Sequence, residues 1–249
     1  MDYERIRNFI LSYTSDNGGV LCHIRKKAEE DGVPIIRKDT EDFLKVMVRI
    51  IRPKRILEIG TAVGYSSIFF AETLQALYKD DTTDKMCETD EADETNEVNK
   101  TAWSIDTCEL DEERISVAKK NIEEAGFGNQ ITIHEGDACD SLKKLIEDGR
   151  KFDLIFIDAA KAQYMDYINL SMKLSDKNAT IITDNIFGDG DVLESHFLVD
   201  KRDRTIHDRM REYVYHITHS DELETALVPI GDGLAISIVN KEITEGDIR

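Results

Sequence analysis

What this 249-residue chain lacks narrows its function before any motif is read. No apolar run approaches the ~20 residues that cross a bilayer. The opening segment MDYERIRNFILSYT is too charged for a secretory leader, so the expectation is a soluble, cytoplasmic protein with no membrane contact. Only four cysteines occur, Cys22, Cys87, Cys108 and Cys139, far apart, with no C-x-x-C and no histidine at ligand spacing beside them. That speaks against a disulfide framework and a cysteine-based zinc site, and predicts reduced, mostly core thiols. Positive charge is also scarce. Lys and Arg total 32 against 51 Asp and Glu, and the net charge of -19 argues against general affinity for nucleic acid or anionic membranes.

What is present is a rhythm. Strand-like runs begin at Arg55 (RILEIG), Trp103 (WSIDTCE), Ile131 (ITIHEGD), Phe152 (FDLIFID) and Ala179 (ATIITDN), with amphipathic stretches between them. In DEERISVAKKNIEEAG, Ile115, Ala118, Ile122 and Ala125 recur at helical spacing and Gly126 marks the stop. Such alternation predicts an α/β, Rossmann-like, doubly wound and mostly parallel sheet, with ligands outside the carboxyl ends of the strands. ETALVPI and GLAISIVN, joined through GDG, predict an antiparallel hairpin that brings the sheet to seven strands. With 41% hydrophobic residues, the chain reads as a single domain over 1–249.

Two segments break the rhythm. Residues 1–40 are helical by pattern, interrupted by DGVPII, and are expected to cap the ligand side. Residues 79–101 hold nine acidic and three basic residues with almost no apolar content, which predicts a mobile acidic insertion.

The strand ends carry the chemistry. In EIGTAVGYSS, Gly60 and Gly64 let a ligand approach the turn backbone, and their G-x-x-x-G spacing is not the pyrophosphate fingerprint. Glu109 ends the second strand, where an acid accepts both hydroxyls of a ribose. It follows Gly64 by more than the usual ~20 residues, an excess for which the insertion accounts. Asp137 and Ala138 end the third strand, beside the place of a base. A nucleoside without phosphates fits this set. Each residue also has a plain structural reading, Asp137 for instance as a helix cap, and it is their coincidence at successive strand ends that favours a ligand. Asp158, Asp184 and Asn185 end the fourth and fifth strands. Their oxygens suit a hard cation such as Mg²⁺, with Lys161 one turn beyond Asp158 as a base.

RILEIGTAVGYSS, IDTCELDEER, GDA, DLIFIDAAKAQY and TDN resemble the motifs of the cation-dependent class I S-adenosylmethionine O-methyltransferases, which include the catechol and caffeoyl-CoA enzymes. The resemblance runs from about Val33 to Val239. DGVPII and LVPIGDGLAIS are similar to the bacterial branch that converts 5-hydroxyuridine in tRNA to 5-methoxyuridine at the wobble position. The resemblance implies S-adenosylmethionine and Mg²⁺ as cofactors. Glu58, Gly60, Gly64 and Ser66 would contact the methionine part of the former with Val33 nearby, Glu109 its ribose, and Asp137 with Ala138 its adenine. Asp158, Asp184 and Asn185 would bind the cation, and Lys161 would take the proton of the attacking hydroxyl beside Asp158. A homodimer is the family habit. The residues 186–205 that shape the acceptor pocket depart from the pattern, so the acceptor stays open between tRNA, ranked first, and a small hydroxylated aromatic; a non-catalytic cofactor-binding module is a third reading. The local basic run Lys201, Arg202, Arg204, Arg209 and Arg211 answers the objection from net charge, because nearby charges dominate within ~8 Å at physiological salt.

Overall fold

The computed structural model describes residues 3–85 and 103–240. Three helices lead the chain, α1 (Tyr3–Leu11), α2 (Gly19–Asp31) and α3 (Lys38–Ile51). Then β1 (Arg55–Ile59), α4 (Tyr65–Lys85), β2 (Ser104–Glu109), α5 (Glu112–Glu124), β3 (Ile131–Glu135), α6 (Ala138–Glu147), β4 (Phe152–Ile157), α7 (Tyr164–Lys173) and β5 (Ser175–Thr183) alternate as expected. After α8 (Arg204–His219) come β6 (Leu223–Val228) and β7 (Leu234–Val239). The sheet order is β3-β2-β1-β4-β5-β7-β6. The first five strands pair in parallel, and the β6–β7 hairpin adds to β5 antiparallel through β7. Among the described residues, no helix is long and apolar enough to cross a membrane.

Helices cover both faces, which is why the central strands are continuous apolar runs. Along β4, Leu154 and Phe156 join a cluster with Leu44, Val48 and Phe70, while Ile155 and Ile157 join the opposite cluster with Leu142, Ile168 and Met210. Successive side chains alternate faces, so four consecutive apolar residues serve two cores at about 1.5–3 kcal/mol for each fully buried side chain. Local signals set the helix limits. Asp111 caps α5 by accepting from Arg114 N at 2.9 Å, and the chain turns away at Gly126, where φ is +79°.

The structure departs from the sequence reading in three places. Residues 79–85 continue α4 rather than opening a loop, and the rest of the acidic insertion lies outside the described residues. β5 begins at Ser175, four residues early, where Ser175 is buried but Asp176, Lys177 and Asn178 are exposed and the apolar run that marks its centre is lacking. Of the cysteines, only Cys108 is buried; Cys22 and Cys139 are half-exposed, and Cys87 lies outside the described residues. The expected cap is partly realised. The segment from Pro34 to Arg37, together with Thr40 on α3, forms one wall of the cavity described next.

Candidate active site

The carboxyl ends of β1 through β5 open into a cavity of about 780 Å³. Nine of the twelve residues singled out in the sequence line it: Gly60, Ser66, Glu109, Asp137, Ala138, Asp158, Lys161, Asp184 and Asn185. Val33, Glu58 and Gly64 do not. Val33 packs partly buried against the core beside the wall residue Pro34. The Cα of Gly64 turns toward α5, where a Cβ would meet Ala118 at 3.4 Å. Gly60 has a reason the sequence did not reveal. At φ +110°, a Cβ there would overlap the main-chain carbonyl of Asp158, so the residue is glycine to let β1 and β4 end side by side.

One half of the cavity suits a nucleoside. Glu109 holds itself rigid with its own neighbourhood: Oε2 accepts from Ala62 N at 2.7 Å, and Oε1 accepts from Leu110 N at 2.9 Å and Asp111 N at 3.0 Å. Three of about four acceptor sites are used, and Oε2 keeps one for a ribose hydroxyl. Asp137 caps α6, accepting from Asp140 N at 3.2 Å, and still borders the cavity with Ala138. Its two readings, cap and ligand wall, are therefore compatible. Behind this half lies Glu58, fully buried. Its Oε2 accepts from Ser67 and from Thr107 Oγ1, the latter at 2.6 Å, while Oε1 has no well-formed hydrogen bond among the described residues. Burial pushes its carboxyl up to about 6, against the opposing pull of the Ser66, Ser67 and Thr107 hydroxyls. A buried acid with an orphaned oxygen beside Ser66 fits a site completed by a cationic ligand group, such as the ammonium of a methionine moiety.

The other half gathers oxygen donors. Asn185, in the left-handed region at φ +61°, donates from Nδ2 to Asp158 Oδ1 at 2.9 Å. Asp184 is buried, and its Oδ1 accepts from Asn185 N at 2.7 Å. Burial first, then repulsion from Asp158, pushes Asp184 up to about 8, and burial raises Asp158 as well. Two carboxylates at the cavity wall, one of them buried, that oppose each other's ionisation beside an amide side chain fit a divalent hard cation, which would relieve the repulsion. Lys161 opens a short 3-10 turn, Lys161–Gln163, and reaches across to Gly188, where a Cβ would stand 3.2 Å from its Nζ. Its charge is one of the influences that lower Asp158.

Three residues escaped the sequence reading. Arg37 clamps Asp232 with Nε to Oδ2 at 2.8 Å and Nη2 to Oδ1 at 2.5 Å, tying the start of α3 to the hairpin loop. Both line the cavity, and Asp232 adds negative charge that raises Asp158 and Asp184. The only sequence signal was that Asp232 lies in, and Arg37 directly after, the two segments that resembled one branch. Tyr164, fully inside, donates its hydroxyl to Asp184 O at 3.1 Å and fixes the turn behind the carboxylates.

The basic run is largely occupied. Arg204 donates to Val199 O at 3.1 Å and Phe197 O at 3.4 Å, Arg209 to Ala162 O at 3.1 Å beside Lys161, and Arg211 to Val192 O at 3.2 Å. Arg202 is exposed and meets Asp203 at 3.1 Å, and Lys201 is exposed.

A family model described as O-methyltransferase matches residues 13–104 and 101–240. A catechol O-methyltransferase of Niastella koreensis is 31% identical over 197 residues, 78% of this chain and 78% of that protein. Caffeoyl-CoA O-methyltransferase 2 of Petunia hybrida is 27% identical over 202 residues, 80% of this chain and 73% of that one. In three dimensions, the SAH-bound Podospora anserina methyltransferase PaMTH1 shares the fold with a TM-score of 0.74 or better, at 0.76, covering 96% of this chain and 95% of its own at 20% identity.

Proposed function

The chain belongs to the O-methyltransferase family, and from that membership we propose an S-adenosylmethionine- and Mg²⁺-dependent enzyme that methylates a ring hydroxyl flanked by a second oxygen. The observation that carries this reading is the placement of Asp158, Asp184, Asn185 and Lys161 at one end of a cavity whose other end holds Glu109 and Asp137. Bound S-adenosylmethionine supplies an electrophilic sulfonium methyl, and bound Mg²⁺ supplies positive charge that lowers the pKa of a nearby hydroxyl.

The protein's own tasks are binding, alignment and proton removal. Glu109 accepts the ribose hydroxyls, and Asp137 with Ala138 borders the base. Asp158, Asp184 and Asn185 would hold the cation, whose charge would favour an acceptor ring that carries two adjacent oxygens as a pair. Lys161 Nζ takes the proton of the hydroxyl to be methylated. Aligning that oxygen with the donor methyl is the larger part of catalysis, because a sulfonium needs little further activation.

For the acceptor we infer 5-hydroxyuridine in tRNA, whose 5-hydroxyl and 4-carbonyl form such a pair, giving 5-methoxyuridine. Support comes from the two segments that resemble that branch. Pro34, Ile35 and Ile36 of the first and Asp232 of the second line the same cavity, and Arg37, next along the chain from the first, is paired with Asp232. Lys201 and Arg202 lie exposed just before α8 for phosphate contact. A small catechol or hydroxycinnamoyl acceptor is the second reading, favoured by the names of the relatives and by the main-chain bonds that occupy Arg204, Arg209 and Arg211.

The test offers the purified enzyme S-adenosylmethionine, Mg²⁺ and either tRNA carrying unmethylated 5-hydroxyuridine or a catechol, with products read by mass spectrometry. Methoxyuridine that disappears with chelator and in Asp184→Ala supports the first reading. Turnover of the catechol alone hands the acceptor to the second. Full turnover in excess chelator refutes the cation site itself.

A further inference from the structure

The cations of the 200–213 run drew attention to α8, but another set of side chains meets there. His196, on the segment before α8, and His207 and Asp208, on the first turn of α8, bring three ligating atoms within 4.8 Å of one another. Asp208 Oδ1 stands 2.8 Å from His196 Nδ1 and 3.0 Å from His207 Nδ1. Ligands around one zinc-sized ion at its usual bond lengths are about 3–3.4 Å apart, so the three atoms need only small shifts to share an ion.

The tautomer of His207 adds an independent argument. The ring is buried, and its Nε2 faces the carbonyl oxygen of Glu194 at 3.1 Å. A carbonyl only accepts, so Nε2 carries the hydrogen. Neutral His207 then presents a bare lone pair at Nδ1, aimed at the carboxylate of Asp208. Two acceptors at 3.0 Å repel unless a proton or a metal ion lies between them. A buried imidazole that donates one N–H to a carbonyl and turns its other nitrogen to a carboxylate has the arrangement of a metal ligand with its outer support. Arg211 Nη1, at 3.4 Å from the same Glu194 oxygen, holds that support in place.

We propose that His196, His207 and Asp208 form a second cation site, separate from the carboxylates of the cavity, that takes a borderline transition ion of the zinc class. Two imidazoles and one carboxylate suit such an ion and not Mg²⁺ or Ca²⁺, which prefer oxygen donors throughout. His196 and Asp208 are partly solvent-exposed, so the fourth position is open to water. The ion clips the segment after the 3-10 turn Gly188–Leu193 onto α8, the helix whose Arg209 is bonded to Ala162 beside Lys161. Its effect is to order the segment bordering the acceptor side. The sequence hid this site because the histidines are eleven positions apart and neither lies near a cysteine.

The experiment titrates Zn²⁺ into the full chain, stripped of metal and then held in excess Mg²⁺, by calorimetry. Co²⁺ is added in parallel as a visible-absorption probe. One equivalent of Zn²⁺ is expected, with Co²⁺ bands typical of imidazole ligation. His196→Ala and Asp208→Ala should each weaken Zn²⁺ at least tenfold with unchanged circular dichroism, whereas Asp184→Ala should leave it unaltered. His196 is half-exposed, so its truncation does not endanger folding. Absence of stoichiometric binding overturns the proposal. So does binding that survives both α8-side variants or vanishes in Asp184→Ala, which would place the ion in the cavity.

Discussion

Asn185 and Asp158 are joined across two neighbouring strand ends by a 2.9 Å bond from Nδ2 to Oδ1. The bond commits the amide's donor to one carboxylate and leaves its own oxygen as a ligand. Asn185→Ala removes both functions, and the Mg²⁺ concentration for half-maximal activity is expected to rise at least tenfold while S-adenosylmethionine affinity is retained. Asn185→Asp substitutes a third acid for the donor. It should lower the melting temperature of the metal-free protein and recover when Mg²⁺ is added.

Asp184 gives a pH test of the same cluster. Its carboxyl is raised to about 8, so between the usual carboxylate range and pH 8 the folded protein holds a proton that the unfolded chain releases. Stability of the metal-free protein therefore falls as pH rises through this window, and the cost is complete above it. Asp184→Asn keeps an oxygen to accept from Asn185 N but carries no charge. We expect the metal-free variant to melt about 2–8 °C above the unsubstituted protein at pH 8.5, with the gap closing toward pH 5 and activity lost throughout. A gap independent of pH would count against the buried charge as its cause.

These residues also show how far sequence could lead. The strand ends were legible because Leu154 to Ile157 in β4 and Ile181 with Ile182 in β5 are apolar to serve two cores, which makes the Asp that follows each strand stand out. Asp158, Asp184 and Asn185 thus declared their place at the cavity. Arg37 and Asp232 did not, since 195 positions separate them and each alone is an ordinary loop charge. The role of Gly60 was half read: a bare backbone at the strand-to-helix turn was foreseeable, but its contact with Asp158 follows only from how closely two parallel strands end. The basic run was only partly legible for a related reason, because sequence does not show which guanidinium groups also bond main-chain carbonyls.

Glu58 should govern how cofactor affinity depends on pH. The ionised form is the one that can receive a cationic group, and its carboxyl stands at about 6 in the free protein. Affinity for S-adenosylmethionine is expected to rise with pH through about 6 and level off above it, as followed by calorimetry. Glu58→Gln should be weaker at pH 8 and nearly flat across the range. An unchanged profile in this variant would assign the dependence elsewhere.

Lys161→Ala tests proton removal. Turnover at neutral pH should drop about 10²–10⁴-fold, with Michaelis constants much less affected, and partly return as solvent base takes over at high pH. A variant equal to the unsubstituted enzyme at pH 7 removes Lys161 from the reaction.

If tRNA is the acceptor, Lys201 and Arg202 are better candidates for phosphate contact than the arginines bonded to the main chain. Changing both to Ala should weaken tRNA binding and reduce the slope of log affinity against log salt by about 1–2. Methylation of free 5-hydroxyuridine should hold. Equal losses on both acceptors would point to a role in the pocket.

The two carboxylates stand on backbone tied into the central sheet. Asp158 N donates to Ile59 O at 3.0 Å and Asp184 N to Ile157 O at 2.9 Å, both continuing the central ladder. Amides placed this way exchange with deuterium only when the whole sheet opens, whereas the segment from Glu194 to Asp203 has few such bonds and can open by itself. On warming, the enzyme should therefore lose discrimination among acceptors before it loses the capacity to methylate. Exchange at Asp158 and Asp184 should track global unfolding, long after the amides of that neighbouring segment have turned over.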